Sequence, residues 1–565
     1  MFVVNPTRLQ NIQRFVTNSS RRCFQDSKSV LQIACEKPLV KRDEKLSVKS
    51  ALDKKNDNDF ATEKDVAWRN KESAILSFEE MPGPKFLKYM STMRHYISEF
   101  GTQLTAGFLT VGLDFKTYIQ NRKSLKTLTS LFDQYGPVVR FVSPIGSDIV
   151  LTNHPEHIQK VFATEGEYPI RSALDCLEKY RLEHRAHSMG GLLNVTGDIW
   201  SRQRSVINEP LQNAIEKHLT GINEVCRTFV KMIYNKRNHR DELDRDLYME
   251  VHKWAFDCMG LVMFSKKFTV LEAEIIYSQD DMTWLYHNLD KATDAIAKCE
   301  SGLRLWRLVN TPAWHTLVKH CDNLDNLIGK QVLETEQSLS KQSSEEGPPS
   351  LITNMIRGDE KMGTEDVTTA IMDMLLVGVN TVTSTMSFLL YHIARYGKAQ
   401  KKLHEEVNKI PKEFDNIQDL KRKTPYLQAC IKETLRLVPP IPVLSRILPK
   451  NITLDRYNIP RGTLIIMSTQ DSSLKESNFD DAQRFYPERW LSDDAKGYHA
   501  FASIPFGCGA RKCIGQNIAE TMMSMLAIEI LRKYKLEYHY GEIRPSRSFI
   551  SKPNKQLKLR FIDRL

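Results

Sequence analysis

A mainly α-helical fold with a few small β-sheets (an α+β class weighted towards helix) is what the sequence predicts for one large folded body. Three observations carry that reading. Residues 211–235, 365–396 and 518–533 repeat apolar side chains at three- and four-residue spacing, the period of an amphipathic helix. The β-like runs at 138–142, 148–152 and 463–468 are short and scattered. No uninterrupted apolar run reaches the roughly 18 residues of a bilayer-spanning helix; 104–113 and 258–264 are among the longest.

Composition narrows the class further. The chain has 565 residues, 41% hydrophobic and 26% charged, enough apolar material for a large core, which excludes wholesale disorder. Ten cysteines at irregular spacing do not make the disulfide framework of a small secreted domain. Net charge is +11, from 80 basic and 69 acidic residues. The first 80 residues hold 15 basic and 12 acidic residues, a net +3, which leaves +8 spread over the rest. No long basic run or nucleic-acid motif accompanies that excess, so no nucleic-acid partner is expected. A basic surface suits an acidic protein or an anionic membrane face.

Taken in order, Met1 to Phe24 contain Arg8, Arg14, Arg21 and Arg22 and no acid, with Leu9, Ile12, Phe15 and Val16 on one helical face. An acid-free, Arg-rich amphipathic N-terminus predicts a mitochondrial targeting peptide, assigned to 1–35 with its cleavage point open. Residues 36–76, dense in Lys, Asp and Asn, read as a polar linker. Pro82-Gly83-Pro84 then fixes a stiff turn, and 77–565 is expected to be a single domain. Within it, the polar stretch 338–350, with Gly347-Pro348-Pro349, reads as a loop between two long helices. No internal repeat is present at solenoid or propeller periods.

The most informative segment is 505–520, PFGCGARKCIGQNIAE. Its glycines let backbone approach a bulky ligand. Cys513 lies just before a helical pattern, where the helix dipole favours a thiolate, and Arg511 adds positive charge. A thiolate so placed suits a soft metal centre, including iron in haem. Spacing alone leaves two other readings open. Cys508 and Cys513 could form half of a zinc site, although no second Cys/His pair follows suitably, or Cys513 could be an inert buried thiol.

Phe506, Gly509, Arg511, Cys513 and Gly515 match every fixed position of F-x-x-G-x-R-x-C-x-G, the haem-binding signature of the cytochrome P450 family. Further resemblances follow in that family's order. Glu433 and Arg436 in KETLR resemble its E-x-x-R pair, one helical turn apart. Phe485, Pro487, Glu488 and Arg489 resemble its P-E-R-F element, with Trp490 as the final aromatic. Trp200 and Arg204 in GDIWSRQR resemble W-x-x-x-R, and Arg446 follows Pro439 at the family's spacing. The chain is thus identified as a member of the family from about residue 77 onwards. The resemblance implies haem b (iron protoporphyrin IX), with Cys513 as axial thiolate and Phe506, Gly509 and Gly515 shaping the loop around it. It also implies Trp200, Arg204, Arg446 and Arg511 on the haem propionates, and E-x-x-R locking the core below the haem.

SFEEMPGPK at 77–85, EGEYPIRS at 165–172 and YRLEHR at 180–185 resemble the mitochondrial branch. That branch takes electrons from NADPH through a flavoprotein reductase and a small acidic ferredoxin. Lys432 matches one ferredoxin-docking lysine, whereas the second basic position is Gln428 and the usual arginine pair after C-x-G is Gln516-Asn517. Lys421, Lys423 and Lys512 are expected to compensate. A second departure is LLVGVNTVTST at 375–385, which resembles the family's oxygen-binding helix. Gly378 is expected to leave room over the haem, and Thr381 occupies the oxygen-activating hydroxyl position. Asn380 replaces the acid, Val377 a small residue and Val382 a second hydroxyl. An amide holds water but exchanges no proton at neutral pH. Three readings follow: Asn380 holds a working water chain, turnover leaks peroxide, or the enzyme rearranges an already oxygenated substrate.

The function expected is a monooxygenase that inserts one atom of O2 into a lipophilic, sterol- or steroid-like molecule on the matrix side of the mitochondrial inner membrane, which it touches peripherally. A xenobiotic-oxidising relative, a haem isomerase and a non-catalytic haem-binding protein are the alternatives. Residues 176–195 and 263–300 are the expected pocket-lining regions.

Overall fold

The computed structural model describes residues 75–84, 126–142, 148–172, 174–273, 280–300, 304–307, 309–341, 349–358, 362–491, 497–546 and 550–564. All lie in the unit Ser73–Leu565. The targeting peptide and nearly all of the polar linker fall outside these residues, as does the apolar run 104–113.

Helix α1 (Lys126–Tyr135) precedes strands β1 (Val138–Phe141) and β2 (Ile149–Thr152). Next come α2 (Pro155–Thr164) and α3 (Asp175–Lys179), the latter running into a π-helical turn at Tyr180–His184. Helices α4 (Gly197–Lys217), α5 (Leu219–Lys236), α6 (Leu247–Phe264), α7 (Asp281–Glu300), α8 (Pro312–Ser340) and α9 (Leu351–Arg357) follow. Then come α10 (Thr364–Arg395), α11 (Gly397–Val407), α12 (Ile417–Lys423) and α13 (Pro425–Leu437). Strands β3 (Leu444–Ile447), β4 (Ile452–Leu454), β5 (Tyr457–Ile459) and β6 (Leu464–Met467) and helix α14 (Thr469–Ser473) precede the cysteine segment. The last elements are α15 (Gln516–Lys533), β7 (Tyr534–Glu537) and β8 (Arg560–Asp563).

The helix-dominated class is as the apolar periodicity predicts, and the three β-like runs become β1, β2 and β6 of one sheet. Its order is β1-β2-β6-β3, with β2 and β6 parallel and both outer pairs antiparallel. The stretch 211–235 is not one helix. It breaks at His218, whose ring bonds back to the Ala214 carbonyl at 2.7 Å and across to Ser265 Oγ at 2.9 Å, so α4 and α5 meet at an angle the period does not reveal. The loop expected at 338–350 begins later, because α8 continues to Ser340, and it ends where Ser350 Oγ accepts the Thr353 N–H to cap α9.

At the centre lies α10, packed by α6, α7, α8, α13 and α15. Glu365 and Asp366 stand in its first turn and Arg395 in its last, each charge complementing the helix dipole. It is long and apolar enough to cross a membrane, yet 83% of that stretch is buried inside the fold. Threonines and serines interrupt it, so no uninterrupted apolar run marks it in the sequence. Each buried Leu, Val or Phe along it contributes about 1.5–3 kcal/mol. Near its middle, Met374, Val377, Gly378 and Thr381 are only partly buried. Their spacing of three and four residues puts them on one face of the helix.

Candidate functional site

Just before α15 the chain forms a tight loop. Gly507 N–H donates to the Ile504 carbonyl at 2.9 Å, Lys512 N–H to Gly509 at 3.0 Å and Cys513 N–H to Phe506 at 2.9 Å. Gly507 and Gly509 have φ of +72° and +73°, which side chains rarely adopt. Gly515, the N-cap of α15, has an ordinary φ, and a Cβ there would only touch Ile518 at 3.5 Å. No close contact among the described residues requires a glycine there. Cys513 is exposed, three residues before the helix starts.

The charges acting on its sulfur differ from those expected. Surrounding protein pushes the Cys513 thiol above its usual range, against the Gly515 N–H, Arg204 and Arg171, which pull it down. Arg511 faces elsewhere. A bound metal ion, which deprotonates a coordinating thiol outright, is what would fix the thiolate. Among the described residues no group of three or more His, Cys, Asp or Glu is placed to hold a metal. A metal bound to Cys513 therefore needs its other ligands from outside the chain, as haem iron does.

Four arginines gather beside the loop. Arg511 donates to the carbonyls of Pro169 at 3.0 Å and Val195 at 2.8 Å, and stacks 4.0 Å over buried Trp200. Arg204 donates to the Lys512 carbonyl at 2.6 Å and approaches the same indole. Arg446 on β3 binds Glu165 Oε2 at 2.5 Å. Burial, then Arg171, Arg446 and Arg204, push the Arg511 guanidinium down to about 9. One Arg511 Nη is buried without a partner. Crowded cations and an orphaned donor call for anions, and the two haem carboxylates fit. Arg171 and Glu165 were not among the sequence candidates. Their segment, EGEYPIRS, carries both, but the chemistry appears only when Ile170 bridges Ile447 and brings that segment to β3.

On α10 the structure separates neighbours that the sequence reading joined. Thr381 lies on the partly open face, its Oγ1 donating to the carbonyls of Val377 at 3.0 Å and Gly378 at 3.2 Å. Asn380 is buried and turned away, towards α6 and α7. Its Nδ2 donates to Thr293 Oγ1 at 3.1 Å and to the Leu376 carbonyl at 2.9 Å. Its carbonyl faces His252, whose Nδ1 lies 3.2 Å from the Tyr286 hydroxyl. Burial holds that imidazole down at about 4, so it is neutral. The expectation that Asn380 organises water beside Thr381 is therefore corrected, because one residue along a helix is a turn of about 100°. A Cβ on Gly378 would lie 3.0 Å from Met259 Cε, so the glycine also makes room for that side chain of α6.

Beneath the loop, Glu433 and Arg436 are fully buried. Glu433 accepts from Arg436 Nε at 2.9 Å, Arg436 Nη at 2.8 Å, Arg489 Nε at 3.1 Å, Trp490 Nε1 at 2.9 Å and the Tyr486 N–H at 3.0 Å. Arg436 also ties down the carbonyls of Ser473 and Ala482 at 2.7 Å each. An exposed i,i+3 pair would contribute little; this one is the hub of the region leading to the cysteine loop. The indole of Trp490 supplies a donor that phenylalanine would lack.

The family model for Cytochrome P450 matches residues 108–561. The chain belongs to the cytochrome P450 family. It is 28% identical to a probable cytochrome P450 301a1, mitochondrial, of Drosophila melanogaster over 509 residues, covering 87% of this chain and 88% of that one. It is also 28% identical to the 1,25-dihydroxyvitamin D(3) 24-hydroxylase, mitochondrial, of Mus musculus over 440 residues, covering 75% and 83%. A probable cytochrome P450 49a1 of Drosophila melanogaster is 28% identical over 493 residues, covering 83% and 80%. The chain is accordingly a P450 monooxygenase of the mitochondrial branch, and its cofactor is haem held by a cysteine thiolate.

The face that carries Cys513 shows where this P450 departs from its branch. Lys432 and Lys512 are exposed. Lys421 is engaged with Glu520 at 2.6 Å and Asn517 at 3.0 Å, and Lys423 with Asp419 at 2.7 Å, so neither is a free compensating charge. Gln428 turns inward, donating to Thr424 Oγ1 at 3.1 Å and Ser524 Oγ at 3.0 Å. Asn517 donates to Gln212 Oε1 at 2.7 Å. Residues that replace the branch's cations serve here as polar stitches between helices.

Proposed function

We propose that this P450 inserts one oxygen atom from O2 into a sterol- or steroid-like substrate on the matrix side of the mitochondrial inner membrane. Electrons come singly from NADPH through ferredoxin reductase and ferredoxin. The observation that carries the reading is Cys513 beside four arginines, at the N-terminus of a helix in a chain of this family. The 24-hydroxylase relative, named for a secosteroid, supports the substrate class.

When bound, haem supplies the oxidising chemistry, and the protein supplies orientation and water control. Cys513 holds the iron, with the Gly515 N–H directed at its sulfur. Arg171, Arg204, Arg446 and Arg511 hold the carboxylates. The Thr381 hydroxyl, on the open face of α10, holds a proton where oxygen is activated. Val377 and Met374 on the same face present apolar surface to the substrate and exclude stray water. Lys432 and Lys512, both exposed, would receive the acidic ferredoxin.

The test is reconstitution with ferredoxin, its reductase and NADPH, offering sterols and lipophilic foreign compounds while measuring product and peroxide together. Product formed in step with NADPH from a sterol, and lost in Cys513→Ser, is the expected result. Product only from a foreign compound, or from a peroxide substrate without NADPH, would overturn the substrate class or the reaction type respectively.

A further inference from the structure

Glu165 closes α2 and is buried, at 5% exposure. Its two oxygens face two different parts of the haem site. Oε2 accepts from Arg446 Nε at 2.5 Å. Oε1 presses on the cysteine loop, where a Cβ on Gly509 would lie only 2.0 Å away. The carboxylate therefore pairs with the arginine of β3 and packs directly against the loop that carries Cys513. The same stretch of chain delivers the Pro169 carbonyl to Arg511 and Arg171 to the cluster.

Charge counting gives the pairing a second meaning. Arg171, Arg204, Arg446 and Arg511 bring four positive charges to one partly desolvated place. The Cys513 thiolate would be answered by the iron itself, so the anions left to face these four cations are the two haem carboxylates and Glu165. Glu165 acts on Arg446 and Arg511, while the acid that acts on Arg171, Asp373, is already paired with Arg181 at 2.7 Å. Without Glu165 the excess of positive charge beside the cofactor grows by one. An electron arriving at the iron is favoured by positive charge nearby and opposed by negative charge, and both effects strengthen where water is excluded.

We propose that Glu165 is a positioning residue for the cofactor: it holds Arg446 and the cysteine loop together, and its fixed negative charge keeps the iron's reduction potential low. The inference rests on the haem-thiolate reading. It calls for two variants of the haem-loaded protein, Glu165→Gln and Glu165→Asp. The readouts are the potential by spectroelectrochemical titration and the rate of haem transfer to a scavenging apoprotein.

In E165Q the ferric–ferrous equilibrium should move towards ferrous by roughly three- to tenfold, and haem should leave several-fold faster. The absorption signature of the thiolate should persist. In E165D, which keeps the charge on a shorter stem, the potential should stay near that of the natural protein while haem release quickens. E165D alone carries the test if E165Q does not accumulate. An E165Q protein with unchanged potential and unchanged haem release would overturn the proposal, as would an E165D potential displaced upwards. Absence of a thiolate signature in the unsubstituted protein would instead bring down the haem-thiolate reading beneath it.

Discussion

Asn380→Asp restores the acid usual in the family, and the structure says that it will harm this protein. The amide nitrogen donates to Thr293 Oγ1 at 3.1 Å and to the Leu376 carbonyl at 2.9 Å. A carboxylate has no hydrogen to donate, so the Leu376 contact turns from attraction to repulsion, and Thr293 must rotate its hydroxyl to donate instead. Losing a buried hydrogen bond of this kind costs about 1–3 kcal/mol, and two contacts place the net loss at roughly 3 kcal/mol. His252 offers partial relief, since a carboxylate beside it raises its pKa from about 4. The sign follows from that. His252 in the natural protein sits below its ordinary 6.5, so protonating it in acid costs the fold stability. A carboxylate at 380 lessens that cost, and the gain over the natural protein fades as pH rises through the raised folded-state value. The deficit of N380D should thus be smaller at pH 6 than at pH 8.5. Urea denaturation of the haem-loaded protein at both pH values, with the ratio of product to NADPH, measures it. An N380D protein of unchanged stability and tighter coupling would refute the reasoning, because it would mean that side chain 380 swings freely towards Thr381.

Three other substitutions have definite expected outcomes. Trp490→Phe, again a family-typical residue, removes the indole donor to Glu433 and should cost about 1–2 kcal/mol, read as a lower denaturation midpoint. Gly191 has φ +83°, and a Cβ there would lie 2.4–2.9 Å from Arg181, Thr369 and Asp373. Gly191→Ala should therefore loosen the segment at 186–195 by about 1–3 kcal/mol, seen as faster limited proteolysis there and weaker substrate binding. Asp257 accepts the N–H groups of Val270 and Leu271, yet burial raises its pKa to about 7. The native state then binds more protons than the unfolded chain between the ordinary 3.8 and about 7, so stability falls as pH rises through that window. Asp257→Asn should flatten that fall, which a single buried carboxyl can make as large as roughly 4 kcal/mol, in denaturation curves taken from pH 4 to 8.

Much of the site was legible because its chemistry is packed into ten residues: the cysteine, its glycines and Arg511 can be read without knowing the fold. The buried E-x-x-R hub was legible for a similar reason, although nothing in KETLR announces that Trp490 is its fifth donor. Arg171 and Glu165 escaped because their relevance depends on a single bridge between Ile170 and Ile447, a contact across 277 positions that no local pattern encodes. Asn380 was misplaced for a subtler reason. Periodicity shows that α10 is buried, but a helix apolar on nearly every side gives no phase, and only packing against α6 and α7 decides which of two neighbours lies on the partly open face. The break at His218 was hidden likewise, since apolar spacing continues through it.

The partly open face of α10 carries a consequence for how this enzyme can diversify. Four residues, Met374, Val377, Gly378 and Thr381, make up that partly open stripe. Point changes there alter reach and bulk one position at a time. A change of length does something else. With the N-terminal half of the helix held by its packing, deleting a single residue ahead of Thr381 would shift the register by about 100° and bring Val382 to its place, and inserting one would bring Asn380 there. Insertions and deletions in this helix should be purged while substitutions accumulate, so a collection of functional variants should keep its length constant even where its letters differ.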